Sequence, residues 1–484
     1  MIRRPAIALV VIAELSLALG LPSVVDVAVA VEPAAMASGG TWGTAQGVPG
    51  LGALGAIGSG VNSVSCPSPG NCAAVGEYGD GGSLRAFVVD EVSGSWGNAQ
   101  RVPGINLLSD GRGAQIVSVS CASPGNCAAV GDYTTSRGSQ VFVVSEVNGS
   151  WRRALAIPGL ATLTGRGPAD AEAQSISCGA PGNCAAIGNY YTKYFTGVIG
   201  HGFVVSEVHG SWHRAVLVRV HGSSVNLEVL SVSCGATRYC VASGDGNYDA
   251  FVMTARNGAW QPPVLLRFGG SVRVVAQIWS VSCRGSGSCA AGGHYFDASS
   301  KDQAFVVSET NGAWGKALKV PGTGVLNTGG LAEVRSVSCD ARASCAAGGY
   351  YEDRAGRPQP FVVSEVNGTW RKARQVLGIP APYNSGALNS ISCGAPGNCT
   401  AGGYYGDAAG NDQGFVVSEV NGAWGKIIDV PGLRALNVSG RAAVGTISCS
   451  AADTCAAGGY YDVKTLSQAF VVVETPATVA RKRI

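Results

Sequence analysis

The chain has 484 residues, of which 46% are apolar and 13% are charged, and its formal net charge is +3. The apolar content is sufficient for a hydrophobic core, so the composition excludes a disordered chain. The small net charge gives no indication of binding to nucleic acid or to an anionic membrane. Glycine accounts for 71 residues, about twice the usual share, which favours a fold with many turns.

The first 37 residues have the pattern of an export signal peptide. Arg3 and Arg4 provide a positive start, an apolar run extends over residues 6–21, and small residues suitable for cleavage follow. Glu14 interrupts the apolar run, which favours cleavage over a retained anchor, although the sequence leaves both open. We therefore expect a secreted or cell-surface protein with no integral membrane segment after cleavage.

We expect residues 38–478 to form one folded domain and residues 479–484 to form a basic tail. All sixteen cysteines occur in Cys-x5-Cys pairs, and the first cysteines of successive pairs lie 49–57 residues apart. A repeat of this length is typical of solenoids and propellers. In an oxidising compartment such pairs form disulfides. Zinc binding is the less favoured alternative, because each pair supplies only two thiolates. The predicted disulfides join Cys66 and Cys72, Cys121 and Cys127, Cys178 and Cys184, Cys234 and Cys240, Cys283 and Cys289, Cys339 and Cys345, Cys393 and Cys399, and Cys449 and Cys455.

Each repeat predicts four short β-strands. In the seventh repeat, a Ser-Ile-Ser-Cys393 strand turns through Pro-Gly-Asn into residues 399–405, and a polar loop leads to the Phe-Val-Val strand of residues 414–420. Asn421-Gly422 then turns the chain into the strand of Trp424, and Asn-Gly between β-rich runs is a strong hairpin signal. We therefore predict an all-β fold, an eight-bladed β-propeller of four-stranded blades with one local disulfide per blade.

The ends of the chain predict how the ring closes. The link from each Trp strand to the next Ser-x-Ser-Cys strand is long and variable, so the Ser-x-Ser-Cys strand should be innermost and the Trp strand outermost. The eighth repeat reaches Glu474 without a Trp strand, whereas Thr-Trp-Gly-Thr-Ala at residues 41–45 precedes the first repeat. We expect this N-terminal strand to complete the last blade, with a linear solenoid as the alternative.

The run Gly402-Gly-Tyr-Tyr-Gly-Asp407, followed by Gln413-Gly-Phe-Val-Val and Asn-Gly, resembles the HAF-type extracellular repeats. Those repeats carry His-Ala-Phe, where this chain has Gln303-Ala-Phe, Gln468-Ala-Phe and, nearest, His201-Gly-Phe. The Ser-Val-Ser-Cys and Cys-Ala-Ala segments also resemble cysteine-paired repeats in exported proteins of high-GC Gram-positive bacteria. The resemblance covers nearly the whole mature chain, but it implies a repeat type and no single activity.

Recurrent tyrosines and aspartates fall in the loops that should occupy one face of the ring, opposite the short turns. Binding residues concentrate in variable loops, and such side chains suit weak multivalent binding of a glycan. The alternative is that the tyrosines pack between blades and the aspartates shape their turns. The candidate ligand-binding residues are Tyr78, Asp80, Tyr190, Tyr295, Asp297, Tyr351, Asp353, Tyr405, Asp407, Tyr461 and Asp462.

Two irregular repeats contain candidate metal ligands. In the fourth repeat, Asp245, Asn247 and Asp249 place oxygen atoms at alternate positions, as at the start of a calcium loop, with an ordinary Asx turn as the alternative. No other cofactor is expected. The third repeat and the link that follows it contain four of the five histidines. His209 lies in a hairpin turn with His213 four residues on, so these two could form a metal pair, with ordinary surface histidines as the alternative. The four histidines are His201, His209, His213 and His221.

The near-eightfold repetition favours a non-catalytic binding module over an enzyme. We expect a monomer that binds carbohydrate or another cell-surface polymer, and the sequence identifies no catalytic residue. A polysaccharide hydrolase or lyase, with its site in the third and fourth repeats, and a scaffold for a surface protein are the alternatives. Recurrent glutamates occupy one strand position in six repeats, which separates them too far for paired catalysis. They are Glu91, Glu146, Glu207, Glu309, Glu365 and Glu419.

Overall fold

The chain folds into eight antiparallel β-sheets that are arranged as the blades of a propeller, as predicted. The computed structural model describes residues 39–163, 170–194, 197–220, 226–269, 274–341, 344–380, 385–438 and 440–477. The predicted signal peptide and basic tail lie outside the described residues. Within the described ranges, no helix has the length and apolar character needed to cross a membrane.

Each blade contains an inner, a second and a third strand, joined by hairpins. The inner strands are Gly58–Ser68, Ala114–Ser123, Asp170–Ala180, Leu227–Ala236, Ala276–Cys283, Ala332–Ala341, Gly386–Ala395 and Ala442–Ala451. The second strands are Asn71–Gly79, Asn126–Thr135, Asn183–Tyr194, Tyr239–Gly246, Ser288–Phe296, Ser344–Glu352, Asn398–Gly406 and Thr454–Val463. The third strands are Leu84–Val92, Gly138–Ser145, Gly197–Val208, Asp249–Arg256, Asp302–Thr310, Pro358–Val366, Asp412–Val420 and Leu466–Thr475.

The fourth, outer strand of each blade pairs with the third strand in two short pieces rather than continuously. In the first seven blades these are Ser95–Trp96 with Gln100–Arg101, a single Trp151 bridge with Leu155–Ala156, Ser211–Trp212 with Val216–Leu217, Ala259–Trp260 with Val264–Leu265, Ala313–Trp314 with Lys316–Lys319, Thr369–Trp370 with Arg374–Gln375, and Ala423–Trp424 with Ile428–Asp429. Arg267–Phe268 forms a further short strand beside Lys316–Lys319. The links between blades contain the helical turns Gly52–Leu54, Ile105–Ser109, Leu160–Leu163, Thr323–Leu326 and Leu433–Leu436.

The N-terminal strand closes the ring, as predicted. Thr41–Trp42 pairs with the third strand of the eighth blade, where Trp42 lies opposite Glu474. Gln46–Gly47 pairs with the same strand opposite Val471 and Phe470. The inner strands of the eighth and first blades contact each other, as do all other neighbouring inner strands. The arrangement is therefore a closed ring and not a linear solenoid.

The two short turns of a blade lie together on one face of the ring, as predicted. In the first blade, the Gly94 N–H of the third-to-outer turn donates to the Gly70 carbonyl of the cysteine turn at 2.8 Å. On the opposite face the link before the inner strand meets the loop after the second strand, since the Ile57 N–H donates to the Gly79 carbonyl at 2.8 Å. We call these the short-turn face and the variable-loop face.

Hydroxyl groups join the inner strands into a continuous ring. In each Ser-x-Ser-Cys segment, both hydroxyl oxygens accept backbone N–H groups of the next blade, from its first cysteine and from the residue two before that cysteine. These bonds measure 2.9–3.4 Å, and two of them occur at each of the eight boundaries. Thr446 replaces serine at one position in the eighth blade and makes the same bond.

The hydrophobic core lies between the blades. Its clusters combine residues of neighbouring sheets, such as Val88 of the first blade with Ile116 and Phe142 of the second. A phenylalanine of every third strand is at most 1% exposed, because neighbouring sheets cover both faces of that strand. These residues are Phe87, Phe142, Phe203, Phe251, Phe305, Phe361, Phe415 and Phe470.

All eight predicted disulfides form, each between the two cysteines of one Cys-x5-Cys pair, so the zinc alternative is excluded for these thiols. The paired Cα atoms lie 3.9–4.1 Å apart, at the end of the hairpin that joins the inner and second strands. Each bridge therefore closes a short loop inside its own blade and links no two blades. The described residues contain no free cysteine. The bonds join Cys66 to Cys72, Cys121 to Cys127, Cys178 to Cys184, Cys234 to Cys240, Cys283 to Cys289, Cys339 to Cys345, Cys393 to Cys399 and Cys449 to Cys455.

We expect Ser282→Ala to lower the free energy of unfolding by about 1–3 kcal/mol, because it leaves the buried Cys339 N–H without its acceptor. Urea denaturation of the oxidised chain measures this loss. Ser299→Ala, which truncates an exposed loop residue, is the control and should be near neutral. Equal stability of the two variants would contradict a stabilising role for the hydroxyl ring.

Candidate functional site

Every inner strand contains a β-bulge at the same position, immediately before its Ser-x-Ser-Cys segment. The ladder to the second strand skips one residue there, as between Ile278 and Ser280 in the fifth blade. A bulge leaves its extra residue unpaired and re-aims the side chain. The extra residue differs from blade to blade in type, whereas its neighbours repeat. These residues are Asn62, Val117, Gln174, Leu230, Trp279, Arg335, Asn389 and Gly445.

A recurrent glycine of the second strand makes room for each bulge. In the fifth blade a Cβ at Gly293 would overlap the carbonyl oxygen of Gln277, and in the sixth a Cβ at Gly349 would overlap that of Glu333. The same overlap occurs in every blade, so a larger residue would force the two strands apart. The glycines are Gly76, Gly131, Gly188, Gly244, Gly293, Gly349, Gly403 and Gly459.

Two further positions vary beside each bulge. One follows the recurrent glycine in the second strand, and the other is its partner in the inner strand. With the bulge residue they form what we call the channel site, because the inner strands surround the axis of the ring. The second-strand residues are Glu77, Asp132, Asn189, Asp245, His294, Tyr350, Tyr404 and Tyr460. Their partners are Gly60, Gln115, Glu172, Glu228, Gln277, Glu333, Ala387 and Ala443.

The channel site is asymmetric in charge. Five carboxyl groups belong to the first four blades, whereas the fifth to eighth contribute an imidazole, a guanidinium, aromatic rings and one carboxyl group, that of Glu333. Trp279 donates from Nε1 to His294 Nδ1 at 3.1 Å and remains 38% exposed. His294 Nε2 lies 3.7 Å from Asp302. This half therefore presents an accessible aromatic face beside titratable groups.

Arg335 connects the sixth and seventh blades within the channel site. Its Nε donates to Glu333 at 2.7 Å, and its guanidinium carbon lies 4.8 Å from the ring centre of Tyr350. Its Nη1 is 3.5 Å from Asn389 Oδ1 of the next blade. Asn389 in turn donates to the Val444 carbonyl at 3.0 Å. These contacts hold the Arg335 side chain, which is exposed, in a fixed position.

Burial raises the pKa of several carboxyl groups in the acidic half. The pKa of Asp132 rises to about 6, chiefly through burial, and the charge of Glu172 adds to the rise. Burial also raises the pKa of Glu228, with further contributions from Asp245 and Glu172. The Ala173 N–H donates to Asp132 at 2.6 Å and opposes the rise. Burial therefore disfavours the charged form of more than one carboxyl group in the acidic half.

A cavity of about 570 Å³ opens from the channel site between the eighth and first blades, on the variable-loop face. Asn62, Glu77 and Tyr460 line it, and Asn62 donates to the Glu77 carboxyl. Ile57 and Leu466 form an apolar wall that is partly exposed. Burial raises the pKa of Glu77. The cavity thus offers apolar walls with polar groups on the channel side.

The predicted tyrosines lie mostly inside the fold. Tyr78, Tyr190, Tyr351 and Tyr405 are at most 4% exposed, whereas Tyr295 and Tyr461 are half-buried at the edges of the core. The hydroxyl of Tyr405 donates to Asp429 at 2.8 Å, and Arg101 donates to that of Tyr78. These contacts use the polar atoms that a ligand would need, and ligand binding by the tyrosines stays a prediction.

The predicted aspartates accept hydrogen bonds within their own loops. Asp80, Asp297, Asp353 and Asp407 each accept backbone N–H groups two to four residues ahead. A hydrogen bond from Arg85 lowers the pKa of Asp80 to about 2. Asp462 accepts from Ser467 and pairs with Arg441. The loops are thus shaped by these carboxylates, while their binding to a ligand is untested.

The candidate calcium residues belong to a tight hairpin. The second strand of the fourth blade ends at Gly246, the third begins at Asp249, and Asn247 with Tyr248 has positive φ in the turn between. Asp245 accepts from Gln277 of the next blade at 2.9 Å and belongs to the channel site. The described residues contain no group of three or more His, Cys, Asp or Glu that could hold a metal ion. Calcium binding stays a prediction.

His201 and His209 of the third repeat lie far apart, whereas a metal pair formed by His209 and His213 stays a prediction. His201 stacks on Tyr190, with ring centres 4.8 Å apart, near the variable-loop end of the third strand. His209 occupies the turn at the other end, eight residues away or about 26 Å along a strand. His213 follows the outer Trp212, and His221 lies outside the described residues.

The six recurrent glutamates lie in six different blades, at the boundaries between blades, and the fourth blade has Ala255 at this position. Each is 3–5% exposed and stands opposite the outer tryptophan of its own blade. Glu365 accepts from Ser308 of the preceding blade at 2.6 Å, and Trp370 donates to the same hydroxyl at 3.0 Å. Glu474, paired with Trp42, extends the series to the eighth blade. Glu474 was not among the six glutamates predicted from the sequence pattern.

Sequence analysis missed the channel site, although a signal for it is present. When the eight repeats are aligned on their cysteines, the residue before Ser-x-Ser-Cys and the residue after the recurrent glycine vary at fixed positions. Variation at a fixed position within a repeated framework indicates a site released from the structural constraint. The ligand site was predicted in the tyrosine-rich loops instead, because the Gly-Tyr-Tyr motif recurs in three repeats.

No family model matches the chain, and no curated protein matches it. Among solved structures, it is similar to YCF48 from Cyanidioschyzon merolae, with 11% identity, a TM-score of 0.41 and coverage of 75% of this chain and 96% of that one. It is similar to Chaetomium thermophilum Sqt1 bound to the N-terminus of ribosomal protein L10, with 12% identity, a TM-score of 0.48 and coverage of 87% and 100%. It is also similar to Pyrococcus horikoshii acylaminoacyl peptidase, with 10% identity, a TM-score of 0.44 and coverage of 84% of this chain and 58% of that one.

These distant likenesses assign neither an activity nor a ligand to the chain. The predicted relation to HAF-type repeats therefore stays a prediction, whereas the eight-bladed propeller with a Cys-x5-Cys disulfide in each blade is established by the structure.

We expect the protein to be less stable at about pH 8 than at about pH 5. Burial raises the pKa of Glu146 and of Glu474 from 4.5 to about 7; the charge of Asp90 adds to the rise at Glu146, and that of Asp453 adds to the rise at Glu474. Between pH 4.5 and about pH 7 these groups bind more protons in the folded chain than in the unfolded chain, so the free energy of unfolding falls as pH rises through the folded pKa. The melting temperature at the two pH values measures the difference.

Glu146→Gln with Glu474→Gln should reduce this pH dependence, because glutamine does not ionise. Asp110→Asn, at an exposed position, is the control and should leave it unchanged. A wild-type melting temperature that does not fall between the two pH values would show that these carboxyl groups do not destabilise the fold when ionised.

Proposed function

We propose that the protein is a non-catalytic binding module whose ligand, a carbohydrate, occupies the channel site. The observation that supports this most directly is the set of eight bulges, whose extra residues are of seven different types. A framework that repeats around the axis thus presents a set of side chains without eightfold symmetry, which is the arrangement expected when one asymmetric ligand is recognised. Binding residues on a rigid scaffold are typical of propellers.

The side chains of the channel site have the chemistry that sugars require. Trp279 offers an exposed flat ring for the apolar face of a pyranose, and carboxylates and amides such as Glu172 and Asn62 bond its hydroxyl groups. The acidic half would repel a polyanion and tolerate a neutral or amino sugar. The cavity of about 570 Å³ lies within the range of small-ligand sites and would take one or two sugar units.

The disulfide content supports a location outside the cytoplasm. All sixteen cysteines are paired in the described residues, and such bridges form and persist in oxidising compartments. We propose that the protein is secreted or attached to the cell surface after removal of the signal peptide, and that it acts as a monomer.

A polysaccharide hydrolase is the second candidate function. One observation favours it, since Asp132 with a pKa of about 6 interacts with the exposed carboxylate of Glu172. A carboxyl group of raised pKa near a second carboxyl group is the usual arrangement for glycoside hydrolysis. Asp132 is only 7% exposed and accepts the Ala173 N–H, which leaves its carboxyl group poorly placed to reach a substrate. We therefore rank binding first.

We expect Trp279→Ala to weaken binding of a neutral polysaccharide by about tenfold or more, because it removes the exposed ring of the channel site. Affinity electrophoresis with a panel of neutral polysaccharides identifies a ligand, and calorimetry measures the loss. Tyr248→Ala is the control. It removes an aromatic ring that is 68% exposed on the variable-loop face, outside the channel site, and this variant should bind like the wild type.

Each polysaccharide is also incubated with the protein and then examined for shortened polysaccharide chains. Retention without products supports the binding module, whereas products that disappear in Asp132→Asn support the hydrolase. Equal binding by the Trp279 and Tyr248 variants would place the ligand elsewhere. No retention of any polysaccharide would favour a surface protein as the partner.

A further inference from the structure

The outer strands carry a strong excess of positive charge. Counted from each outer tryptophan to the fifth residue after it, the eight outer segments contain ten Lys or Arg and a single acid, Asp429. Their net charge is +9 in a chain whose total is +3, so the rest of the chain carries −6. We call these eight segments the rim. The basic residues are Arg101, Arg152, Arg153, Arg214, Lys316, Lys319, Arg371, Lys372, Arg374 and Lys426.

The charges of the rim are accessible. Nine of the ten basic residues are exposed, and Arg101 is partly covered because it donates to Tyr78. Within the described ranges, none of the ten forms an ion pair. Asp429 already accepts a hydrogen bond from Tyr405. The positive charge is therefore not neutralised by the fold.

Protection of an open edge does not by itself account for this charge. Lys and Arg commonly guard edge strands against pairing with other chains, but acidic residues serve that purpose as well. The outer edge is also partly covered, since the Ala154 N–H donates to the Pro103 carbonyl of the preceding link at 2.8 Å, and Ala215 and Ala373 make the same bond with Pro158 and Pro321. One sign of charge on an edge that is already hydrogen-bonded indicates an anionic partner.

A cavity interrupts the rim between the second and third blades, at the edge of the short-turn face. Its volume is about 410 Å³, and Arg152, Arg153 and His209 line it together with Leu155 and Trp212. Two buried carboxyl groups, of Glu146 and Glu207, also line it, and burial raises the pKa of both. Leu155 is 52% exposed, and the indole of Trp212 is half-buried with its Nε1 bonded to Ser145. Two guanidinium groups beside an apolar and an aromatic surface suit a sugar that carries an acid group.

We propose that the rim binds an anionic polysaccharide and that the cavity between the second and third blades holds one of its acidic sugar units. The basic residues extend over the first to third and the fifth to seventh blades, around the side of the ring. A flexible chain follows such a curved surface, whereas a flat membrane contacts only a small sector of it. This site is separate from the channel site, whose carboxylates exclude polyanions.

Polygalacturonate and its fully methyl-esterified form are the probes, because they share a backbone and differ only in charge. We expect the rim of the mature oxidised chain to bind polygalacturonate and to lose this binding as the salt concentration is raised. We expect the rim not to bind the methyl-esterified form. Arg152→Glu with Arg153→Glu should weaken binding of polygalacturonate by about tenfold or more. Arg137→Glu with Arg354→Glu makes the same change of net charge on exposed loops of the opposite face and should have little effect.

Equal weakening in the two double variants, at matched melting temperatures, would overturn the proposal, because binding would then follow net charge alone. Preferential binding to phosphatidylglycerol vesicles or to single-stranded DNA over polygalacturonate would overturn it as well. Trp279→Ala should leave binding of polygalacturonate intact, so failure of the rim site and failure of the channel site give different results.

Discussion

The structure depends on the hydrogen bonds that the hydroxyl groups of one inner strand accept from the backbone of the next. A propeller blade has no partner for the free edge of its innermost strand, and buried N–H groups there would be costly. Ser63 and Ser65 and their equivalents supply the missing acceptors at every boundary. Because each blade both donates and accepts, the ring of bonds is complete only when all eight blades are present and closed.

This ring separates the positions that hold the fold from the positions that are free to differ. The serine hydroxyls and the third-strand phenylalanines repeat because each serves the same boundary in every blade. The glutamate–tryptophan pairs repeat in seven blades, and the fourth blade has Ala255 opposite Trp260 instead. The bulge residues differ in all but one pair of blades. Where one of them contacts the next blade, as Asn389 does at the Val444 carbonyl, the contact depends on its residue type and does not recur in every blade. The channel site is also rich in carboxyl groups, whereas the rim is rich in cations.

The repeat architecture could be predicted from the sequence because its signals are local. Cys-x5-Cys spacing, Asn-Gly turns and the displaced Thr41–Trp42 strand each specify a short element, and together they imply the closed ring. The bulges could not be predicted in this way, because they depend on one unpaired residue within a continuous strand. The burial of Tyr78 and Tyr405 could not be predicted either, because tyrosine is equally suited to an exposed loop and to the space between two blades.

The bulges have a consequence for how such a protein can change. An unpaired residue contributes nothing to the ladder, so its replacement leaves the cross-strand hydrogen bonds and the recurrent glycine opposite it in place. Eight such positions surround one axis and can be exchanged one at a time. A combinatorial library randomised at these eight codons would therefore sample new specificities on a constant framework, and natural duplication of the repeat would have offered evolution the same freedom.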